Sequence, residues 1–233
     1  MIGEIPKVAN PAVMRLLGKL EADENSCDQE MRSFQRERFV LPVQLSTPDK
    51  EFQVEAFSRN LTVVGASLIT PQPFSRGEKM NLEFNLHELQ SKYIVECCWS
   101  RRFGKAYWSS GWKFISDQVD MDSVRKADAM FEWEKRTTVR KQYAIPVVIH
   151  QDGQKPQVHG FTRNLSGSGT CLVTNHEIPE KSCMLQFIRS DGERCDVVAE
   201  SIWSKKYSER YWMTGWNFPG PDGDAKPDEA KLD

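Results

Sequence analysis

The chain matches itself when it is shifted by 104 residues, and this repeat limits its possible folds more than any other feature. The matched positions come in the same order in both halves and include arginines, glycines and aromatic residues. In the first half they are Arg32, Arg36, Pro42, Val43, Phe57, Arg59, Asn60, Leu61, Gly65, Leu68, Thr70, Glu96, Trp99, Ser100, Tyr107, Trp108, Gly111, Trp112 and Phe114. The repeats that build solenoids are only about 20–45 residues long. The sequence therefore predicts two copies of one domain.

Each copy consists mainly of short segments that favour β-strands. These segments are rich in Val, Ile, Tyr, Phe and Trp, and they alternate with turns that contain Gly, Asn, Asp and Ser. About six short strands separated by such turns are typical of a small antiparallel barrel. We therefore expect a mainly β protein with two tandem six-stranded antiparallel barrels and with connecting and terminal helices.

The repeat and the local composition together divide the chain into five segments. We expect an N-terminal helical lead over 1–28, the first barrel over 29–118, a helical connector over 119–135 and the second barrel over 136–220. The segment 221–233 is dominated by Pro, Gly and charged residues. Such a composition cannot build a core, so we expect a disordered tail.

Composition and charge exclude several classes of function. The 31 Lys and Arg residues nearly balance the 33 Asp and Glu residues, and the formal net charge is −2. We therefore expect no DNA or RNA binding, because proteins that coat nucleic acids are strongly basic. No run of 18 apolar residues occurs, so we expect no membrane insertion. The absence of a continuous apolar segment near the N-terminus favours a cytoplasmic protein over a secreted one.

Two polar motifs recur in both copies. The first is Arg-x-x-x-Arg, which precedes the first strand of each copy and comprises Arg32 and Arg36, and again Arg136 and Arg140. The second is Asn-x-Ser/Thr-x-x-Gly, which we expect at a turn between two strands. Its residues are Asn60, Thr62 and Gly65 in the first copy and Asn164, Ser166 and Gly169 in the second. Either motif alone is weak evidence for membership of a protein family. Both motifs in the same order, and twice in one chain, are strong evidence for it.

Together these motifs resemble the signature of the PilZ family, RxxxR followed by [D/N]xSxxG on a six-stranded barrel. PilZ domains are receptors for the bacterial second messenger cyclic di-GMP, so the resemblance implies a bacterial signalling protein that binds this nucleotide. It also implies that the arginines of both pairs and the Asn, Ser or Thr and Gly of both turns contact the ligand. No cofactor and no metal are implied beyond the ligand itself.

The residue types of the two motifs suit such a ligand. Cyclic di-GMP carries two phosphodiester charges and two guanines, and a planar guanidinium can pair with phosphate, stack on a purine or grip N7 and O6 of guanine. The Asn side chain and the turn hydroxyl can hydrogen-bond to a base edge. A polar lead that carries charged arginines and few apolar residues has little to hold it in place. We therefore expect ligand binding to order the lead, rearrange the domains and regulate an unidentified downstream protein.

The two copies do not match the family signature equally well. In the second copy Ser166 precedes a Gly-Ser pair, which gives a pliant turn. In the first copy Thr62 precedes two valines, and these β-branched residues stiffen the turn. We expect the second site to bind ligand, whereas the sequence does not decide whether the first site binds.

An alternative belongs to another functional class. One or both barrels could be ligand-free PilZ-like scaffolds that act only through protein–protein interaction, but such domains typically lack the arginines, so the arginines favour the receptor. The repeated tryptophans could pack at the barrel core or rim, or stack on a base. No nucleophile–base pair and no paired carboxylates stand out, so we expect no enzymatic activity.

Overall fold

The computed structural model describes residues 9–25, 36–86, 89–129, 140–151, 158–179 and 181–219. The first half contains α1 (Pro11–Asn25), β1 (Pro42–Ser46), β2 (Gln53–Thr62), β3 (Gly65–Thr70), β4 (Lys79–Leu86), β5 (Leu89–Phe103) and β6 (Tyr107–Phe114). The second half contains α2 (Met121–Ala129), β7 (Pro146–His150), β8 (Val158–Ser166), β9 (Gly169–Thr174), β10 (Ser182–Ile188), β11 (Arg194–Lys206) and β12 (Trp212–Asn217). The tail over 221–233 lies outside the described residues.

The strands close into two antiparallel barrels of six strands each. Neighbouring strands follow the order β1-β2-β3-β6-β5-β4 in the first barrel and β7-β8-β9-β12-β11-β10 in the second. Matched leucines, Leu61 and Leu68 in one barrel and Leu165 and Leu172 in the other, lie fully buried inside. The predicted fold class is confirmed, while the exact domain boundaries remain predictions.

The repeat holds at the level of single hydrogen bonds. The β2–β3 ladder shifts register between Ser58 and Asn60, and the β8–β9 ladder shifts between Thr162 and Asn164. In each barrel the hydroxyl before the shift accepts a hydrogen bond from the amide four residues after the β-bridged lead residue. These bonds, Leu41 N to Ser58 Oγ and Ile145 N to Thr162 Oγ1, are both 3.0 Å long. The two copies therefore share their irregularities as well as their regular strands.

Aromatic side chains join the two barrels through one stacked pair and two matched edge-on pairs. Phe57 stacks on its counterpart Phe161 with ring centroids 4.0 Å apart. Phe57 also meets Tyr211 edge-on at 6.0 Å, and Phe161 meets Tyr107 edge-on at 5.5 Å. Buried aromatic pairs in these geometries each contribute about 0.5–1.5 kcal/mol beyond their area. The four rings thus fix the barrels against each other.

Polar partners of the same two tyrosines also match. The Tyr107 hydroxyl lies 3.2 Å from His159 Nδ1, and Tyr211 hydrogen-bonds to Glu55, the residue that corresponds to His159. Burial raises the pKa of both phenols, and the neighbouring Glu55 carboxylate raises that of Tyr211 further. Both tyrosines therefore stay neutral at physiological pH.

The connecting helix α2 contacts both barrels. At its start, the Val119 amide donates to the Val63 carbonyl of the first barrel at 3.1 Å. Near its end, Asp128 forms a buried ion pair with Arg163 of the second barrel, 2.7 Å from Oδ1 to Nη2. The Gln142 amide also donates to Asp128, at 3.1 Å. The helix therefore ties the barrels together, and its ion pair with Arg163 is almost fully removed from water.

Both helices begin at an Asn or Asp that caps them. Asn10 Oδ1 accepts from the Ala12 amide at 3.0 Å, and Asp120 Oδ1 accepts from the Asp122 amide at 3.0 Å. Such caps satisfy backbone donors that the first helical turn leaves without partners. Within the described part of the chain, neither helix is long and apolar enough to cross a membrane.

Candidate functional site

The Asn-x-Ser/Thr-x-x-Gly motif forms the tight connection between two adjacent strands in each barrel. Thr62 ends β2 and Gly65 begins β3, while Ser166 ends β8 and Gly169 begins β9. The Thr62 hydroxyl donates to the Gly65 carbonyl at 3.2 Å, and the Ser166 hydroxyl donates to the Gly169 carbonyl at 3.1 Å. In both copies the hydroxyl therefore closes the turn on itself. Its contact with a ligand stays a prediction.

The motif glycines allow β3 and β9 to pass close to a neighbouring strand. A Cβ on Gly65 would lie 2.7 Å from the carbonyl oxygen of Trp112, and a Cβ on Gly169 would lie even closer to that of Trp216. Distances under 3.0 Å to a backbone atom force the chain to move. The Gly169 Cβ would also lie 3.1 Å from Arg140 Nη2. Glycine at these positions thus keeps room for both the strand and the arginine.

Backbone pairing places the second arginine of each Arg-x-x-x-Arg motif beside the turn. Glu37 and Leu61 exchange hydrogen bonds of 3.0 and 2.8 Å, and Lys141 and Leu165 exchange bonds of the same lengths. The residues just before them are Arg36 and Arg140, so both arginines lie next to the strand that carries the motif asparagine. The first arginines, Arg32 and Arg136, lie outside the described residues.

The two second arginines differ in conformation. Arg36 is exposed to solvent. Arg140 is half-buried, and its Nη1 donates to Asn164 Oδ1 across 3.4 Å. Arg140 and the motif asparagine of the second barrel are therefore in contact, while their contact with a ligand stays a prediction.

A cavity of about 410 Å³ opens on the first barrel at the predicted residues. It contains every predicted first-site residue that the structure describes, and its walls are Arg36, Asn60, Thr62, Val64, Gly65, Ala66, Ser67, Cys98, Trp99, Gly111, Trp112 and Lys113. Its volume falls in the range of about 300–1,000 Å³ that is common for small-molecule sites. The motifs therefore converge on a concave surface.

Sequence reasoning missed one cation of this cavity. Lys113 on β6 lines the wall and forms an ion pair with Glu96 at 3.0 Å. Its counterpart in the second barrel is Asn217, so Lys113 could not be found from the repeat. The feature of the sequence that could have indicated Lys113 was its position two residues after Gly111, a glycine that is matched in both copies.

The matched tryptophans differ in how far they are buried, and stacking of any of them on a base stays a prediction. Trp112 and Trp216 are almost fully buried, and their indoles donate to Ser110 Oγ at 2.8 Å and Thr214 Oγ1 at 2.7 Å. Trp99 is only half-buried and lines the cavity. The buried pair therefore serves packing, whereas Trp99 presents part of its ring to the site.

The corresponding site on the second barrel is closed. Asn164, Ser166 and Ser168 expose only 6%, 5% and 7% of their surface. At the corresponding positions of the first barrel, Asn60 and Val64 are half-buried, whereas Thr62 is buried like Ser166 and exposes 8% of its surface. The second site contains the better match to the signature, yet its polar groups are covered.

The model of the PilZ domain family matches residues 30–128 and 134–229, which is most of the chain. The protein belongs to the PilZ family. It contains two PilZ domains in tandem, one for each barrel. No curated protein matches the chain.

Solved structures give further similarities to this tandem PilZ protein. It is similar to PlzA of Borreliella burgdorferi in complex with c-di-GMP, at 10% identity and a TM-score of 0.32, covering 88% of this chain and 92% of PlzA. It is also similar to the Bacillus subtilis inhibitor of motility MotI/DgrA, at 10% identity, a TM-score of 0.30, and 78% and 88% coverage. The MrkH–c-di-GMP complex of K. pneumonia gives 8% identity, a TM-score of 0.30, and 76% and 79% coverage.

Proposed function

We propose that the protein is a cyclic di-GMP receptor that regulates a downstream protein through a rearrangement of its domains. The observation that carries this proposal is the cavity on the first barrel, where Arg36, Asn60 and the Thr62–Gly65 turn come together. Membership of the PilZ family supports the same ligand. The proposal covers the second site as well, through Arg140, Asn164 and the Ser166–Gly169 turn.

The cavity offers complementary groups for both parts of the ligand. Arg36 and Lys113 supply positive charge for the two phosphodiester groups, and charge-assisted hydrogen bonds of this kind are about twice as strong as neutral ones. Asn60 can donate to and accept from a guanine edge. The exposed part of the Trp99 ring offers a surface on which a base can stack.

The predicted output follows from where the ligand would bind. The arginine lead of the second barrel, 136–140, directly follows the connecting segment that contains α2. A ligand that draws this lead onto the barrel pulls on the chain close to Asp128, the residue that joins α2 to Arg163 of the second barrel. We therefore expect the position of α2 between the barrels to respond to the ligand, which supplies the change that a partner protein can detect.

Calorimetric titration of the full chain with cyclic di-GMP tests the proposal. We expect Arg36→Ala to remove binding at the first site, Arg140→Ala to remove it at the second, and the double variant to give no heat at micromolar concentrations. Arg76→Ala, which changes an exposed arginine between β3 and β4, is the matched control and should bind like the wild type. Cyclic di-AMP should bind weakly, because adenine lacks the O6 acceptor that arginine recognises on guanine.

Two results would count against the proposal. Absence of heat in the wild type would exclude the receptor function, and equal heat in the double arginine variant would exclude the assigned residues. If only the first site binds, the second barrel is instead a ligand-free interaction module.

A further inference from the structure

Each barrel carries a helix at the same place, but the two helices come from different parts of the chain. The first barrel holds α2, which follows its last strand directly. The second barrel holds α1, which precedes the first barrel in sequence and lies against β8 and β11. In both cases a backbone amide near the helix start donates to the carbonyl of the residue that follows the motif hydroxyl residue: Val119 to Val63 at 3.1 Å and Asn10 to Gly167 at 2.7 Å. Val63 and Gly167 are matched positions of the repeat.

The apolar faces of the two helices are equally well buried. Val124 of α2 and Val13 of α1 have no exposed surface, and Leu16 of α1 exposes only 3%. Val13 and Leu16 belong to the same core cluster as Trp216 and Leu165. Helix α1 is therefore packed into the second barrel as an integral element, although no described strand of that barrel leads into it.

Ion pairs of opposite polarity hold each helix on its barrel. On the first barrel, Arg125 of α2 pairs with Glu37, with Nε 2.9 Å from Oε2, and lowers the pKa of the Glu37 carboxyl. On the second, Glu21 of α1 pairs with Lys141, the counterpart of Glu37. If the helices were exchanged, Arg125 would face Lys141 and Glu21 would face Glu37, which places like charges together. The two pairs therefore favour the observed assignment and disfavour the exchanged one.

The contacts of α1 lie directly beside the second site. Gly167 stands between Ser166 and Gly169 of the motif, and Lys141 follows Arg140. A Cβ on Gly167 would lie 2.7 Å from Met14 Sδ and 2.8 Å from the Ala9 Cβ, so the helix start is seated on the turn. With Lys141 held by Glu21, Arg140 lies against Asn164, and the polar groups of the site are buried.

We propose that α1 is an intramolecular lock on the second PilZ site, so that its docking and ligand binding at this site exclude each other. The inference rests on the proposed function. Ligand access to Asn164 and the turn requires Arg140 to turn away from Asn164, and a ligand seated on the turn needs the space over Gly167 that Ala9 and Met14 fill. Because linkage is reciprocal, the ligand releases α1 to the same extent that docked α1 weakens the ligand. The apparent Kd of the second site rises in proportion to the docked fraction.

A disulfide between positions 9 and 167 tests the lock within one protein. The Cβ separation of 2.8 Å is shorter than the usual value of about 3.8 Å, so the helix must retreat by about 1 Å while remaining over the turn. The variant carries Ala9→Cys and Gly167→Cys together with Arg36→Ala, which silences the first site. Calorimetry with cyclic di-GMP is compared between the oxidised and the reduced forms.

We expect the oxidised form to bind at least tenfold more weakly than the reduced form. The reduced form should bind more tightly than Arg36→Ala alone, because the new side chain at position 167 pushes against Met14 and against the residue at position 9. Arg36→Ala with native residues at 9 and 167 is the control for the redox treatment. Equal circular dichroism spectra of the two forms establish that both are folded.

A second measurement follows α1 itself. Cys195 is half-buried on β11, next to α1, and burial raises the pKa of its thiol. If the ligand releases α1, cyclic di-GMP should speed alkylation of Cys195 severalfold, as followed by mass spectrometry. Glu21→Lys should speed it about two- to fivefold without ligand, and adding Lys141→Glu should restore the slow rate.

The outcomes separate the two hypotheses. Equal affinity of the oxidised and reduced forms, or alkylation of Cys195 that is slower with ligand, would overturn the lock and leave the receptor function intact. Absence of cyclic di-GMP binding in the wild-type chain and in every variant would overturn the receptor function, and the lock with it.

Discussion

The first barrel presents Arg36 to solvent beside an open cavity, whereas in the second barrel Arg140 contacts Asn164 and the start of a helix packs on the adjacent turn. Around these sites the barrels are nearly interchangeable, with the same bulges, the same turn hydrogen bonds and the same indole-to-hydroxyl contacts. The two barrels therefore share these backbone irregularities, yet they differ in the conformation of the second motif arginine and in the helix that packs on each motif turn. The comparison teaches that a closer match to a family signature does not by itself make a site more accessible.

The largest expected difference between the halves concerns two matched arginines. Arg163 is buried with Asp128, whereas its counterpart Arg59 lies 5.7 Å over the ring of Phe103. Arg163→Ala should lower the free energy of unfolding by about 3–5 kcal/mol, because it leaves the Asp128 carboxylate buried without its charge partner. Arg59→Ala, the matched control, should cost less than about 1 kcal/mol. Urea unfolding of the full chain measures both, and similar losses would show that the halves do not differ here.

A smaller difference is expected from the cation that only the first cavity contains. Lys113→Ala should raise the Kd of the first site about 3- to 10-fold, because a charged contact with the ligand is lost in a partly hydrated setting. The salt dependence of binding should also become weaker. Asn217→Ala at the matched position should change the second site less than twofold. Calorimetry at several salt concentrations, in Arg140→Ala for the first site and in Arg36→Ala for the second, distinguishes these effects. An unchanged Kd would remove Lys113 from the site.

The smallest effect is expected from exchanging the turn hydroxyls. Thr62→Ser and Ser166→Thr each keep the hydrogen bond to the glycine carbonyl. The free energy of unfolding should therefore change by less than about 0.5 kcal/mol, and the Kd for the ligand by less than twofold. Thr62→Val keeps the shape but loses the bonds to the Gly65 carbonyl and from the Val64 amide, and should cost about 1 kcal/mol. Thermal melting provides the measurement. A large effect of Thr62→Ser would show that the methyl group, not the hydroxyl, distinguishes the turns.

The sequence was sufficient to predict the two barrels, because duplication repeats every strand with its turn residues and so doubles a signal that one copy gives weakly. It was also sufficient to predict that Arg36 lies near Asn60 and Arg140 near Asn164, because the two motifs flank adjacent strands. It could not show that α1 belongs to the second barrel, because the apolar spacing of Val13 and Leu16 defines a face but not its partner. Nor could it reveal the turn-closing role of Thr62 and Ser166, which depends on local backbone geometry.

The paired rings between the barrels have a consequence for assembly. Phe57 stacks on its counterpart Phe161, and the tyrosine of each barrel meets the phenylalanine of the other barrel edge-on. The surface between the barrels is therefore self-complementary, as in an isologous dimer. A single-barrel ancestor could have used this surface to pair with an identical molecule, and gene duplication would then have joined the two subunits covalently. Either half produced alone would expose its phenylalanine and tyrosine, and would therefore be prone to form two-fold homodimers.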